Sequence, residues 1–248
     1  MGLEMSVKDP DYMEDNRHQT DLSSPVCYLK KVPDLIRGVV FDLDGTFIDS
    51  TPAIVESFYH TFDTLGITRP AEEAIVTSIG HILEDQFALL AECDPHECVA
   101  IYRTHYVTVA RELTSLQPGA EAAAARLREA GLKIGFATSK KREYAEMILD
   151  HLGMLDYFES RIGPHDVTHP KPHPEAILKS AEQLNLNHAE FFFVGDTDFD
   201  VKAAHAAKVR CLCVTTGYNT REQLEALEPE LVVDSLDEIT QYILAHRS

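Results

Sequence analysis

The residues best suited to chemistry in this sequence fall in four short stretches. "FDLDGT" carries Asp42 and Asp44, "FATSK" carries Thr138 and Ser139, "THPKPHPEA" carries Lys171, and "GDTDFD" carries Asp196, Asp198 and Asp200. Singly these are ordinary. Asp44-Gly45 is a common turn pair. The triple acid resembles the start of a calcium loop, but Val201 stands where that loop needs glycine and Ala207 where it needs a bidentate glutamate. Together they suit phosphoryl transfer through an aspartyl phosphate, with Asp42 as the attacking carboxylate. Mg2+ would offset repulsion between Asp42 and an anionic substrate, held by Asp42, Asp196 and the backbone carbonyl of Asp44. The Asp44 side chain is then free to protonate the leaving alcohol and later to take a proton from water. Thr138 and Ser139 offer hydroxyls to the phosphoryl group, Lys171 balances its charge, and Gly45 lets the backbone turn closely beside it.

Such residues need elements that bring them together. "IRGVVFD", "LKIGFAT", "EFFFVGD" and "VRCLCVT" are short continuous apolar runs, and "ELVVDS" is a weaker fifth. That pattern fits parallel strands covered on both faces. Helical stretches such as "GAEAAAARLREAG" and "REYAEMILDHLG" separate them, which predicts an α/β fold, a doubly wound parallel sheet. Ligands bind such sheets beyond the carboxyl ends of the strands, where these residues stand.

Ninety-six positions separate Asp42 from Thr138, where a βαβ crossover needs only about 30. The surplus predicts a small helical cap over residues 51–115, with the core formed by 35–50 and 116–248. In the cap, Asp94 reads as an N-cap with Pro95 in the first turn and Glu97 closing the box, and a final helix is expected through "ECVAIYRTHYVTVARELTSL". Thr51-Pro52 and "TSLQPGA" read as hinges of a lid. Gly80 and His81 are expected in a specificity loop, and Arg103 is the candidate partner for a substrate carboxylate. Residues 1–34 read as a polar, mobile extension.

The formal charge of -19 argues against nucleic acid and anionic membranes as partners and leaves room for a small phosphorylated metabolite. Five cysteines in no framework pattern point to a reducing compartment, hence the cytoplasm. Cys93, His96 and Cys98 lack a fourth zinc ligand. Cys211 and Cys213 are expected to pack as small apolar groups, and His169 and His173 to face solvent beside Lys171. Monomer and homodimer are both compatible with the sequence.

The four stretches, in this order, resemble the motifs of the haloacid dehalogenase superfamily. With a helical cap after the first motif and "TTGYNTREQL" after the fourth, the chain most resembles its phosphoglycolate phosphatase-like members. The resemblance implies a Rossmann-like core and a magnesium-dependent phosphatase of small phosphomonoesters such as 2-phosphoglycolate. It further implies Asp42 as nucleophile, Asp44 as acid and base, Thr138 and Lys171 as phosphate ligands, and Asp196 as magnesium ligand. Asp200 becomes the second acid of the last motif, orienting metal waters or Lys171, with Asp198 to spare. Dehalogenating members lack the acid at Asp44. Sugar phosphomutases keep both acids but often carry valine where Thr46 stands. A phosphate-receiver signalling domain has no room for the insert, and a non-catalytic magnesium-binding module would not need the full set.

Overall fold

The computed structural model describes residues 35–247; the extension expected over residues 1–34 lies outside them. In chain order the elements are β1 (Gly38–Phe41), β2 (Ile48–Asp49), α1 (Thr51–Leu65), α2 (Glu72–Ser78), α3 (Leu83–Leu90), α4 (Pro95–Val109), β3 (Ser115–Leu116), α5 (Ala120–Glu129), β4 (Lys133–Ala137) and α6 (Arg142–His151). They continue with β5 (Ser160–Ile162), α7 (Glu175–Leu184), β6 (Phe191–Gly195), α8 (Asp198–Ala207), β7 (Arg210–Val214), α9 (Arg221–Glu225), β8 (Leu231–Val233) and α10 (Leu236–Ala245).

Six strands form one parallel sheet in the order β5-β4-β1-β6-β7-β8. Their alternate residues sort onto two faces, as a period of two requires. Val39, Phe41, Phe192 and Val194 join Leu127, Ile148 and Ile239 on one side. Val40, Phe191 and Phe193 join Ile177, Ala181 and Val201 on the other. Cys211 and Cys213 belong to this second face, packed as expected. The switch in strand order falls around β1, so β1, β4 and β6 deliver their ends to one place.

β5 did not stand out in the sequence: at three residues, "SRI" is too short and too polar for an apolar-run signal. The final helix of the insert also stops early. α4 ends at Val109 instead of running on toward Leu116, and Ser115–Leu116 pair antiparallel with Ile48–Asp49. Pairing with β2, together with the bond from the Gln117 amide to Phe47 O at 3.0 Å, overrides helix propensity there.

The insert packs around a cluster of aromatic rings, with Phe58 4.6 Å from Phe87 and 5.1 Å from Tyr102 between centroids. Pro52 lies in the first turn of α1, and Gly66 ends that helix in the left-handed region. At α4 the Asp94 side chain accepts from the His96 amide at 3.0 Å; the reciprocal bond expected from Glu97 is not formed. Among the described residues no helix is long and apolar enough to cross a membrane.

Candidate active site

β1 places Asp42 one residue beyond Phe41, tied by its amide to Val194 O at 2.8 Å. β6 places Asp196 one residue beyond Gly195. Into the space between them reaches Lys171, from the loop before α7. Its Nζ donates to Asp42 Oδ1 at 2.8 Å and to Asp200 Oδ1 at 2.7 Å. The Lys171 side chain is 4% exposed and that of Asp200 0%.

Asp200 owes its position to the start of α8. Thr197 is the N-cap, and Asp200 Oδ2 accepts from the Thr197 amide at 3.0 Å, the Thr197 hydroxyl at 2.6 Å and the Asp196 amide at 3.2 Å. One side chain thus caps a helix and fixes a lysine. Asp198 points elsewhere, pairing with Lys202 at 2.5 Å. Of the two acids left open by the sequence, the fold brings Asp200 to Lys171.

Asp196 accepts from the Thr46 hydroxyl at 2.6 Å and from the Tyr218 amide at 2.9 Å. The backbone crowds it. Gly45, at φ +84°, leaves a space in which a Cβ would stand 2.5 Å from Asp196 Oδ2, and a Cβ on Gly217 would overlap the same carboxylate. Gly45 therefore makes room for an acid of the site itself.

One oxygen from each of Asp42, Asp196 and Asp200 lies within 4.8 Å of the others, all three residues buried. Burial pushes Asp42 up to about 7 against the pull of Lys171, with Asp200 and Asp44 adding to the rise. Burial, then Asp200 and Asp42, push Asp196 well up. Lys171 is drawn down by burial but raised overall by Asp200 and Asp42. Lys171 is shared by Asp42 and Asp200, and Asp196 has only neutral donors, so ionising all three carboxyls would leave two negative charges uncompensated; the donors are hard oxygens. That is the charge and chemistry of a divalent cation such as Mg2+, so the residues present fit one.

The Asp44 carboxylate stands outside this cluster, in keeping with the separate proton role expected of it; the expected metal ligand was its backbone carbonyl. Its side chain accepts from Ser50 Oγ and pairs with Lys140 Nζ at 3.1 Å. Lys140 also donates to the Tyr106 hydroxyl at 2.7 Å. Burial draws Lys140 down, but Asp44 and Tyr106 raise it overall. Thr138 is buried after β4, its Oγ1 accepting from the Lys140 amide at 3.1 Å, while Ser139 Oγ donates to Gly80 O at 3.0 Å. Asp42, Asp44, Thr138, Ser139 and Tyr218 line a cavity of about 20 Å3, and a larger one of about 240 Å3 opens from Asp44 and Ser139.

Gly80 and His81 line that larger cavity, His81 edge-on to Phe199 at 4.6 Å. Arg103 reaches it as well, already paired with Glu84 at 3.2 Å. His169 and His173 are exposed, His169 beside Glu175. Sequence reasoning missed Thr46 as a partner of Asp196, Ser50 and Lys140 as partners of Asp44, and Tyr106 as the partner of Lys140. Only Lys140, two residues beyond Thr138, left a positional signal.

A parallel sheet with buried acids and a lysine at its switch point defines a class of hydrolase, and comparison with known proteins gives the family. The model of the haloacid dehalogenase-like hydrolases matches residues 39–214, and the chain belongs to that family. It is 31% identical over 229 residues to the phosphoglycolate phosphatase of Salmonella typhimurium, covering 82% of this chain and 91% of the relative. It is 35% identical over 208 residues to "Probable phosphatase IndB" of Dickeya dadantii, covering 81% and 90%. The solved structure of a haloacid dehalogenase-like family hydrolase from Streptococcus pneumoniae superposes with a TM-score of 0.76 at 27% identity, over 84% of this chain and 98% of that one.

Proposed function

We propose that this chain is a Mg2+-dependent phosphatase that hydrolyses a small phosphomonoester through an aspartyl phosphate on Asp42. The observation that carries the reading is the buried cluster of Asp42, Asp196 and Asp200, three carboxyls with a single ammonium, that of Lys171, shared between Asp42 and Asp200. Phosphatases among the similar proteins support the same reading.

Asp42 and Asp196, with the Asp44 carbonyl, would hold the ion. When bound, it supplies Lewis-acid charge that offsets the repulsion between carboxylate and phosphate. Asp42 attacks phosphorus in line with the departing alcohol, and the phosphoryl group transfers to its carboxylate. Asp44, oriented by Ser50 and Lys140, gives a proton to the alcohol oxygen. In the second half it takes one from the water that attacks the acyl phosphate, returning Asp42 and releasing inorganic phosphate. Thr138, whose Oγ1 only accepts in this geometry, donates its hydroxyl to the phosphoryl oxygens; Ser139 would join it on releasing Gly80 O, and Lys171 stays against Asp42 as charge shifts onto those oxygens. Residues 51–115 act as the cap, α1–α4 closing water out of the strand ends.

Phosphate release from a phosphomonoester panel with Mg2+, and its loss on EDTA, tests the proposal. 2-Phosphoglycolate belongs in that panel because relatives bear the name phosphoglycolate phosphatase. Conversion of a sugar phosphate to its isomer without phosphate release would favour a mutase instead.

A further inference from the structure

We infer that the substrate's leaving alcohol is uncharged and carries a planar ring, in place of the carboxylate of glycolate; this rests on the phosphatase reading above. The two cavities share Asp44, Ile79, Gly80 and Ser139, so a phosphoryl group beside Asp42 sends its ester oxygen past Asp44 into the larger one. Its volume of about 240 Å3 is some eight times the ~30 Å3 that one water occupies in the liquid. A two-carbon leaving group would leave most of it empty.

The walls include tyrosine rings and aliphatic side chains. Tyr102 and Tyr106 stack with centroids 5.5 Å apart at 12°, and Tyr144 lies 5.6 Å from Tyr106. Ile54, Ile82 and Leu83 line much of the remainder. Aromatic walls favour a planar partner in offset or edge-on contact.

Charge argues the same way. Each of the lysines and the arginine lining the cavity already faces a carboxylate: Lys140 with Asp44 at 3.1 Å, Arg103 with Glu84 at 3.2 Å, Lys141 with Glu143 at 3.8 Å. A substrate carboxylate entering here would have to displace one of these acids, and Glu84 and Asp44 themselves line the cavity and would repel it. An uncharged ring disturbs none of the pairs.

Two non-hydrolysable phosphonates separate the alternatives by titration calorimetry with Mg2+. Benzylphosphonate is expected to bind at least about tenfold more tightly than phosphonoacetate; equal or reversed affinities overturn the inference. Glu84→Gln frees Arg103 and is expected to raise phosphonoacetate affinity about tenfold, narrowing the gap. No gain there would mean that the Arg103–Glu84 pair is not what excludes an anion, and would overturn the charge argument. In turnover, benzyl phosphate is expected to exceed 2-phosphoglycolate in kcat/KM by at least about tenfold. If 2-phosphoglycolate wins, the chain is a phosphatase and this inference fails. If acetyl phosphate, benzyl phosphate and 2-phosphoglycolate all go unhydrolysed, the phosphatase reading fails, and the phosphonate ranking still decides what the cavity accepts.

Discussion

At the strand ends, buried acids outnumber the nearby cations, whereas the walls of the larger cavity, from the helical insert and the β4–α6 turn, carry paired charges and tyrosine rings. Asp42 and Asp200 share the Lys171 ammonium while Asp196 has only the neutral donors of Thr46 and Tyr218; Arg103, Lys140 and Lys141 each have a carboxylate. In the proposed reading the first region takes the cation and carries the reaction, and the second, with its lysines and arginine paired, selects by shape. On that reading reaction and specificity sit in separate parts of the chain, the former on the sheet and the latter on α1–α4 and the β4–α6 turn.

The comparison can be broken most sharply at Asp42. Asp42→Asn is expected to lower phosphate release by about 10^4-fold or more, because nothing else stands at the tip of β1 to accept the phosphoryl group. Retained activity would remove the strand ends from the reaction. Asp44→Asn should be milder, about 10^2- to 10^4-fold in kcat, the usual worth of a general acid or base, with phosphorylated enzyme accumulating in intact-mass spectra. On the stability side, Lys171→Met leaves Asp42 and Asp200 without their ammonium and is expected to cost about 3–5 kcal/mol in urea denaturation without divalent ions. Mg2+ should restore part of that loss if the charge count is right. In the insert, Phe58→Ala opens a void among Phe62, Phe87 and Tyr102, with a cost of a similar order, about 3–5 kcal/mol, that Mg2+ should leave alone.

The smallest expected effect lies at Glu175, the first residue of α7, which follows the loop that carries Lys171. The Thr168 amide, then Lys179 and the His169 amide, lower its carboxyl from the ordinary value to about 2. A lowered pKa stabilises the fold above the ordinary value, and that contribution is lost as pH falls from about 4.5 toward 2. The stability gap between the wild type and Glu175→Gln should therefore close over that range in denaturation midpoints.

The strand-end region was the more legible in sequence for a physical reason. A continuous apolar run that stops at an acid marks both a buried strand and its exposed tip, so Asp42 and Asp196 could be placed before any coordinates. Lys171 followed from its proline-framed loop. Their neighbours were hidden. Ser50 reaches Asp44, and Tyr106 reaches its partner Lys140, only because β2 and α4 fold back over the same point, and no local pattern in "IDS" or "RTHYV" signals that. Arg103 was read as a free cation because its partner Glu84 lies on another helix, 19 residues away in sequence. β5 was lost to brevity, and the end of α4 to a pairing with β2 that propensity does not register.

The two-residue ribbon of β2 and β3 has one more consequence. Asp49 and Ser115 face each other across an antiparallel pair, so the chain leaves the sheet and returns to it at the same spot. Whatever is spliced between these neighbours need only begin and end side by side. The ribbon is thus a ready graft point, where helices of another length or composition can replace the present ones without moving the acids beneath.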